Sequence, residues 1–367
     1  MSRIYENGYL VEYPNELAYA GMPAIVRVSQ LDTAYIGVGI TIKVGENYYT
    51  ETRTPYNGEV VFDISRYMQT AFIGRNLSPR YGGLRYEQGM VSNTQADVSV
   101  VVSLTDTLGK VVNVHSFDVN ALVGYMPIGR ANGGVRNRKW FVNFPQTFDF
   151  YGEEHIDIWL DDTRVTIERS GIAIKQISVE LSPYWGNATE GAQSAVLEAL
   201  NAVYLNGDVL NRDAQNIYRL TIDRCTKGVY LRWLDNFGQW CYYLFRTTGR
   251  NYATKEVQSW QDGVLRNDLQ PENDVYTGHS SQQLSQQESI SLGAKLVDAE
   301  TFDFLLTLTN SPIVEVLTNA TEYQANNNTT PLWERVSVVG GSYARTGAPL
   351  QDFAVSIVRN AQTSQML

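Results

Sequence analysis

The residues best equipped for chemistry lie close together at Glu153, Glu154, His155, Asp157, Asp161 and Asp162. A glycosidase needs two carboxylates held across a scissile bond and a hard cation needs several oxygens, so these residue types suit either use. Their spacing suits neither. Strand alternation puts Asp157 and Asp161 on a polar face with Asp162 in a turn, the pattern of a solvated hairpin. His115, His155 and His279 are far apart in sequence, and no HExxH or CxxC spacing offers a zinc site. The nucleophile motif GxSxG, the dinucleotide motif GxGxxG and the phosphate-binding P-loop are all missing. Tyr184 and Trp185, in Ser182-Pro-Tyr-Trp-Gly186, could stack on a sugar ring, and a packed corner accounts for them equally well. Gly340 and Gly341, ahead of Ser342 and Tyr343, read as a turn. No catalytic residue, cofactor site or metal site is assigned, and the protein is not expected to be an enzyme.

Two other groups of residues point to contact rather than catalysis. Arg130, Arg136, Arg138 and Lys139 lie in or beside a stretch that also holds Pro127, Gly129, Gly133 and Gly134. That composition marks a boundary between domains, and the basic cluster is either a solvated linker or a contact for phosphate or an acidic neighbouring chain. The second group is the run from Gly228 to Phe245. Here Asp235-Asn-Phe-Gly238 has the composition of a turn between two strands, with Asp first and Gly fourth. Centring the turn between Asn236 and Phe237 places Trp233 opposite Trp240, Leu231 opposite Tyr242 and Val229 opposite Leu244. Tyr230, Leu234, Tyr243 and Phe245 fall on the other side. Both faces are apolar, so both should be covered, one by a partner sheet and one by another domain or chain. Trp233, Trp240, Tyr230, Tyr243, Phe245, Arg130, Arg136 and Arg138 are the interface candidates. In this register Cys241 opposes Arg232, and Cys225 lies roughly 23 Å away along the strand, beyond disulfide reach. Both cysteines are expected as free thiols in a reducing cytoplasm.

The elements that must carry these residues are strands. Short alternating runs recur at Ile25–Val28, Ile36–Ile42, Val60–Phe62, Val98–Leu104 and Val111–Val114, with turn chemistry at Asn57-Gly58 and Leu108-Gly109. Further runs follow at Ile156–Leu160, Val165–Ile167, Ile172–Leu181, Ile217–Ile222, Ile313–Leu317, Val336–Val339 and Phe353–Val358. Helices are expected over Ile64–Phe72 with Asp63 as N-cap, over Glu190–Val203 from apolar spacings of three and four, and over Ala299–Leu308 with Asp298 as cap. Leu77–Ser92 reads as an exposed loop. Arg246–Ser289 reads as a polar surface arm, with Gln282, Gln283, Gln286 and Gln287. The expected fold is mainly β, two β-sandwich-like domains with a few short helices: 1–125, a linker over 126–145, and 146–367 carrying the arm near 246–289.

Composition bounds the use. The chain has 367 residues, 19% of them charged, with 23 Tyr against 12 Phe and a net charge of −10. Low charge and excess Tyr suit half-buried strands and contact surfaces, whereas an acidic chain lacks the basic stripe that direct nucleic-acid binding requires. The start, with Arg3, Glu6 and Glu12, lacks the apolar core of a secretory signal, and no apolar run is long enough for a membrane helix, so neither export nor membrane insertion is expected. Glycosylation at Asn76, Asn187, Asn319, Asn327 or Asn328 is not expected either.

Several stretches resemble virion structural proteins of tailed bacteriophages. They are Tyr13-Pro-Asn-Glu16, Tyr49–Gly58 running into Val61–Tyr67, the Gly228–Phe245 hairpin, Leu292–Leu296, Phe302–Pro312 and Gln362–Leu367. The resemblance implies a repeated β-sandwich subunit of a head or tail, most like a distal tail or baseplate component. Such a subunit would be assembled in the host cytoplasm into the virion, with copies of itself and other virion proteins as partners. A different class of reading is a carbohydrate-binding β-sandwich protein, for receptor binding, or a glycosidase built on the acid cluster.

Overall fold

The computed structural model describes residues 1–6, 8–14, 17–79, 90–91, 93–125, 134–152, 156–160, 163–167, 175–180, 194–206, 209–263, 277–326, 329–359 and 362–365. With 58% strand and 10% helix, the protein is mainly β, and its sheets are sandwich-like with one closed barrel.

The first unit is a two-sheet sandwich. Ser2–Glu6, Tyr9–Tyr13, Ile25–Ser29 and Val60–Asp63 form one sheet. Leu17–Tyr19, Val111–Leu122, Gln95–Asp106, Tyr35–Val44 and Asn47–Arg53 form the other. Alternation sends Val38, Ile40, Ile42, Val98, Val100 and Val102 inward against Val26, Val28 and Phe62, the arrangement that buries one face of each sheet. Asn57 and Gly58 both take positive φ in the tight turn between Tyr56 and Glu59, as a primed turn demands. A helix follows at Ser65–Thr70, with Met68 buried. Its N-cap is Ile64 rather than Asp63. The Asp63 carboxylate instead accepts from Ser65 N at 3.0 Å and from Ala24 N at 3.1 Å, tying the helix start to a neighbouring strand.

Next come two sheets, Gly134–Phe141 with Val209–Asp223, Ser194–Asn206, Ile156–Leu160 and Thr163–Ile167, and Thr147–Gly152 with Lys175–Glu180 and Met90–Val91. Three expectations are corrected here. The helix over Glu190–Val203 is a strand, Ser194–Asn206, flanked on both edges: Ala195, Leu197 and Ala199 pair with Leu160, Ile158 and Ile156 on one side and with Leu220, Tyr218 and Asn216 on the other. Spacings of three and four in an Ala-rich run fit a helix in isolation, and two ready strand partners override that preference. The linker over 126–145 contains the strand Gly134–Phe141, parallel to Asn216–Asp223, with Trp140, Phe141 and Phe144 buried. The loop over Leu77–Ser92 is not simply exposed, because Leu77 is buried and Met90–Val91 pairs with Ile177–Ser178.

The last unit is a six-stranded barrel of Trp240–Gly263, Val229–Leu234, Val314–Leu317, Trp333–Val338, Gln351–Arg359 and Thr277–Val297, the first and last closing on each other. The helix Ala299–Leu306 covers it, capped by Asp298 at 2.7 Å from Thr301 N. A short helix at Ala320–Ala325 had no clear sequence signal. The arm is not loop. Arg246–Gly263 and Gly293–Thr277 pair as one antiparallel hairpin, roughly 60 Å long at about 3.3 Å per residue, and the C-terminal Gln362–Gln365 adds to it along Gln283–Gln286.

Candidate functional site

The turn at Asp235 sets the geometry of the informative hairpin. Gly238 N donates to Asp235 O at 3.1 Å, and Asp235 N donates to Gln239 O at 2.9 Å. Gly238 sits at φ +70°. This type I turn followed by a left-handed glycine adds one residue to the loop, so the strands pair one residue away from the expected register. Trp233 opposes Cys241, Leu234 opposes Trp240, and Arg232 opposes Tyr242. A one-residue slip moves Trp240 to the other face, so the expected Trp233–Trp240 pair does not form.

Each face is buried by the chain itself. Trp233 packs 5.1 Å from Phe304 and donates from Nε1 to Thr307 Oγ1 at 2.8 Å, while Trp240 Nε1 donates to Leu77 O at 2.9 Å. Tyr230 stacks on Phe144 at 4.5 Å, Tyr243 meets Phe141 at 5.4 Å, and Phe245 lies 6.4 Å from Phe353. These five aromatics are therefore core residues of this chain, not the contact surface for a second one, as was expected.

Two polar clusters hold the units together. In the first, Arg232 is 2% exposed and lies between two indoles, 4.7 Å from the Trp240 ring centre and 4.2 Å from that of Trp333. It donates from Nε to Glu315 Oε2 at 2.7 Å and from Nη2 to Ser78 Oγ at 2.9 Å. A buried guanidinium needs this much pairing to be tolerated. The sequence carried a signal for it, since Arg232 and Glu315 are single charges inside otherwise apolar strand runs.

The second cluster surrounds a cavity of about 30 Å³ lined by Arg136, Arg138, Gln146, Thr147, Tyr218, Asp235, Gln239 and Cys241 among others, room for about one water. Arg136 donates from Nη1 to Tyr218 Oη and Gln239 Oε1, both at 2.7 Å. Arg138 stacks 4.0 Å over the Phe304 ring and donates to Asn137 O at 2.8 Å. Asp149 accepts from Trp240 N at 2.8 Å on its carboxylate and from Tyr218 Oη at 3.1 Å on its carbonyl. Arg136 and Arg138 are thus not a solvated linker, and the acidic group Arg138 meets, Glu300 at 3.6 Å, belongs to this chain rather than to a neighbouring one. Arg130 lies outside the described residues. Asp235 accepts from Phe237 N at 2.8 Å and Gln239 N at 2.9 Å, yet burial raises its pKa above 3.8. Burial, reinforced by the Asp235 charge, likewise pushes the Cys241 thiol well above 9.0, and burial pushes Tyr218 up to about 12. A thiol held protonated, with no histidine among the lining residues, is no nucleophile. The cluster fastens backbone segments. Cys225 and Cys241 are both free.

The acid cluster is represented among the described residues by Asp157 alone, since Glu153, Glu154, His155, Asp161 and Asp162 lie outside them. Asp157 is not on a solvated face. It is 3% exposed and accepts from Arg164 Nη2 at 2.6 Å. Tyr184 and Trp185 also lie outside the described residues. No group of three or more His, Cys, Asp or Glu side chains able to hold a metal occurs among the described residues. No described helix is long and apolar enough to cross a membrane.

No protein-family model matches the chain, and no curated protein matches it. Among solved structures, the fibronectin(III)-like modules of Clostridium thermocellum CbhA are similar at 9% identity and TM-score 0.19, over 59% of this chain and 94% of theirs. A bacterial ice-binding adhesin is similar at 13% identity and TM-score 0.17, over 66% of this chain and 85% of its own. At such scores neither likeness carries an argument about function.

Proposed function

We propose that this protein is a non-enzymatic structural subunit acting through protein–protein contacts, and that it serves as a tail or baseplate component of a tailed-phage particle. The observation that carries the reading is the arm. A hairpin roughly 60 Å long, polar in sequence over most of its length, runs past the barrel strands that pair with its base and gains a third strand only along Gln283–Gln286, and a two-stranded stretch is marginal by itself. A neighbour that orders it is the physical reason for such an element. Low charge, abundant Tyr and the resemblance to tailed-phage virion proteins support the same assignment, and homo-oligomer formation with other virion proteins as partners belongs to it.

Purified particles provide the test. The full chain should sediment with them and resist salt washing. Replacing Ala253–Gln287 by Asn-Gly joins Tyr252 to Glu288, which are paired residues, so a two-residue turn closes the shortened hairpin without moving the barrel. This variant should stay folded and lose particle association. A wild-type protein absent from particles, or an armless variant incorporated as well as wild type, would overturn the reading.

A further inference from the structure

The Trp240–Gly263 strand changes neighbours at the base of the arm. It pairs with Val229–Leu234 up to Phe245, then from Arg246 onward with Gly293–Thr277 on its other side. Among the described residues, nothing pairs with the edge that Val229–Leu234 leaves behind. An open edge presents alternating N–H and C=O groups to any strand that approaches. Register irregularities interrupt the ladder between Thr247 and Gly249 and between Glu256 and Gln258. The longest regular stretch between them is Gly249-Arg-Asn-Tyr-Ala-Thr-Lys-Glu256. At its start Arg250 is about half exposed, 51% for its side chain, and Tyr252 is 53% exposed.

We propose that this stretch is where two copies of the chain join, edge to edge and antiparallel about Ala253, so that the arms of a dimer form one continuous sheet. This deepens the structural reading above by naming the partner as a second copy. The charge pattern selects the arrangement. Pairing about Ala253 places Arg250 opposite Glu256 of the partner subunit, and the two-fold axis repeats that pair, as an isologous contact requires. A parallel arrangement would set Arg250 against its own copy. A shift of one residue in the antiparallel register would set it against Lys255 of the partner subunit or Val257 of the partner subunit and lose the opposite-charge pair. Opposite charges facing across strands stabilise pairing and like charges oppose it. Arg250 already donates to Glu288 at 3.2 Å, and a guanidinium has more donors than that contact uses.

The test is a charge swap in the full chain, read as the dissociation constant of the dimer by sedimentation velocity. Wild type should dimerise. Arg250→Glu and Glu256→Arg should each weaken the dimer by about tenfold, because each reversal creates two like-charge pairs. The double variant Arg250→Glu/Glu256→Arg should restore affinity to within about threefold of wild type. Circular dichroism on each variant checks the fold, and Glu256→Arg leaves the Arg250–Glu288 contact untouched. A monomeric wild type, single variants that dimerise normally, or a double variant no better than the singles would overturn the proposal. A monomer that still sediments with particles would defeat the pairing and leave the structural role standing. A dimer absent from particles would do the reverse.

Discussion

At the residue scale the buried pair Arg232–Glu315 is a charged contact shielded from water. Removing one member strands a charge where water cannot reach it, so Arg232→Met should cost about 3–5 kcal/mol. Arg335, 3.8 Å from Glu315 and 66% exposed, is too loosely placed to compensate. Arg232→Met/Glu315→Leu removes both charges, and chemical denaturation should show it recovering most of the loss. A double variant no more stable than the single one would mean that the pair itself, not the stranded charge, supplies the stability. Asp235 makes a pH prediction. Its carboxyl titrates above 3.8 in the folded protein because burial penalises the charge. The folded state therefore binds a proton more readily than the unfolded state, and stability from this group falls as pH climbs from 3.8 through the raised value. Against Asp235→Asn, which keeps an acceptor for Phe237 N and Gln239 N, wild type should gain melting temperature as pH is lowered through that window. A constant difference between the two would remove Asp235 from the titration.

At the element scale, one glycine in the turn decides what two tryptophans touch. Asp235 and Gly238 were readable as turn residues, but the left-handed glycine adds a residue and sends Trp240 to the face opposite Trp233. Trp233 then depends on the Ala299–Leu306 helix and Trp240 on Leu77 and Arg232. A double-mutant cycle with Trp233→Phe and Trp240→Phe should be additive to within about 0.5 kcal/mol. A stacked cross-strand pair would instead show coupling of about 0.5–1.5 kcal/mol. Strand periodicity was legible for most of the first sandwich, because Val38, Ile40, Ile42 and Val98–Val102 alternate against solvent on one side only. It failed over Ser194–Asn206, where Ala195, Val196, Ala199 and Leu200 carry a helical spacing that only the flanking strands defeat. In the arm, polar residues on both faces hide the alternation that would announce a strand.

At the scale of the whole molecule, the first sandwich meets the barrel through backbone as well as side chains. Tyr125 N donates to Asn236 O at 2.7 Å, and the approach is so close that a Cβ on Gly238 would collide with the Val123 carbonyl, while one on Gly124 would sit 2.5 Å from Asn236 O. Gly238→Ala should therefore cost at least about 2 kcal/mol, from positive φ together with the clash. Gly45→Ala is the control, since Gly45 also has positive φ but nothing within 4 Å of its would-be Cβ, and it should cost only about 1–2 kcal/mol. Equal losses by urea denaturation would mean that the junction contributes nothing to stability. By itself the sequence determined the mainly-β class, the capped helix at Ala299, the turn at Asp235 and the presence of an unusual polar arm, because alternation, capping and turn chemistry are local properties of neighbouring residues. Only the tertiary structure decided that Arg136 and Arg138 are half-buried fasteners, that Arg232 finds Glu315 across 83 residues, and that the arm is a hairpin whose Arg246–Gly263 strand has an open edge among the described residues. Those facts depend on which strands meet, and strand pairing joins residues that no local pattern brings together.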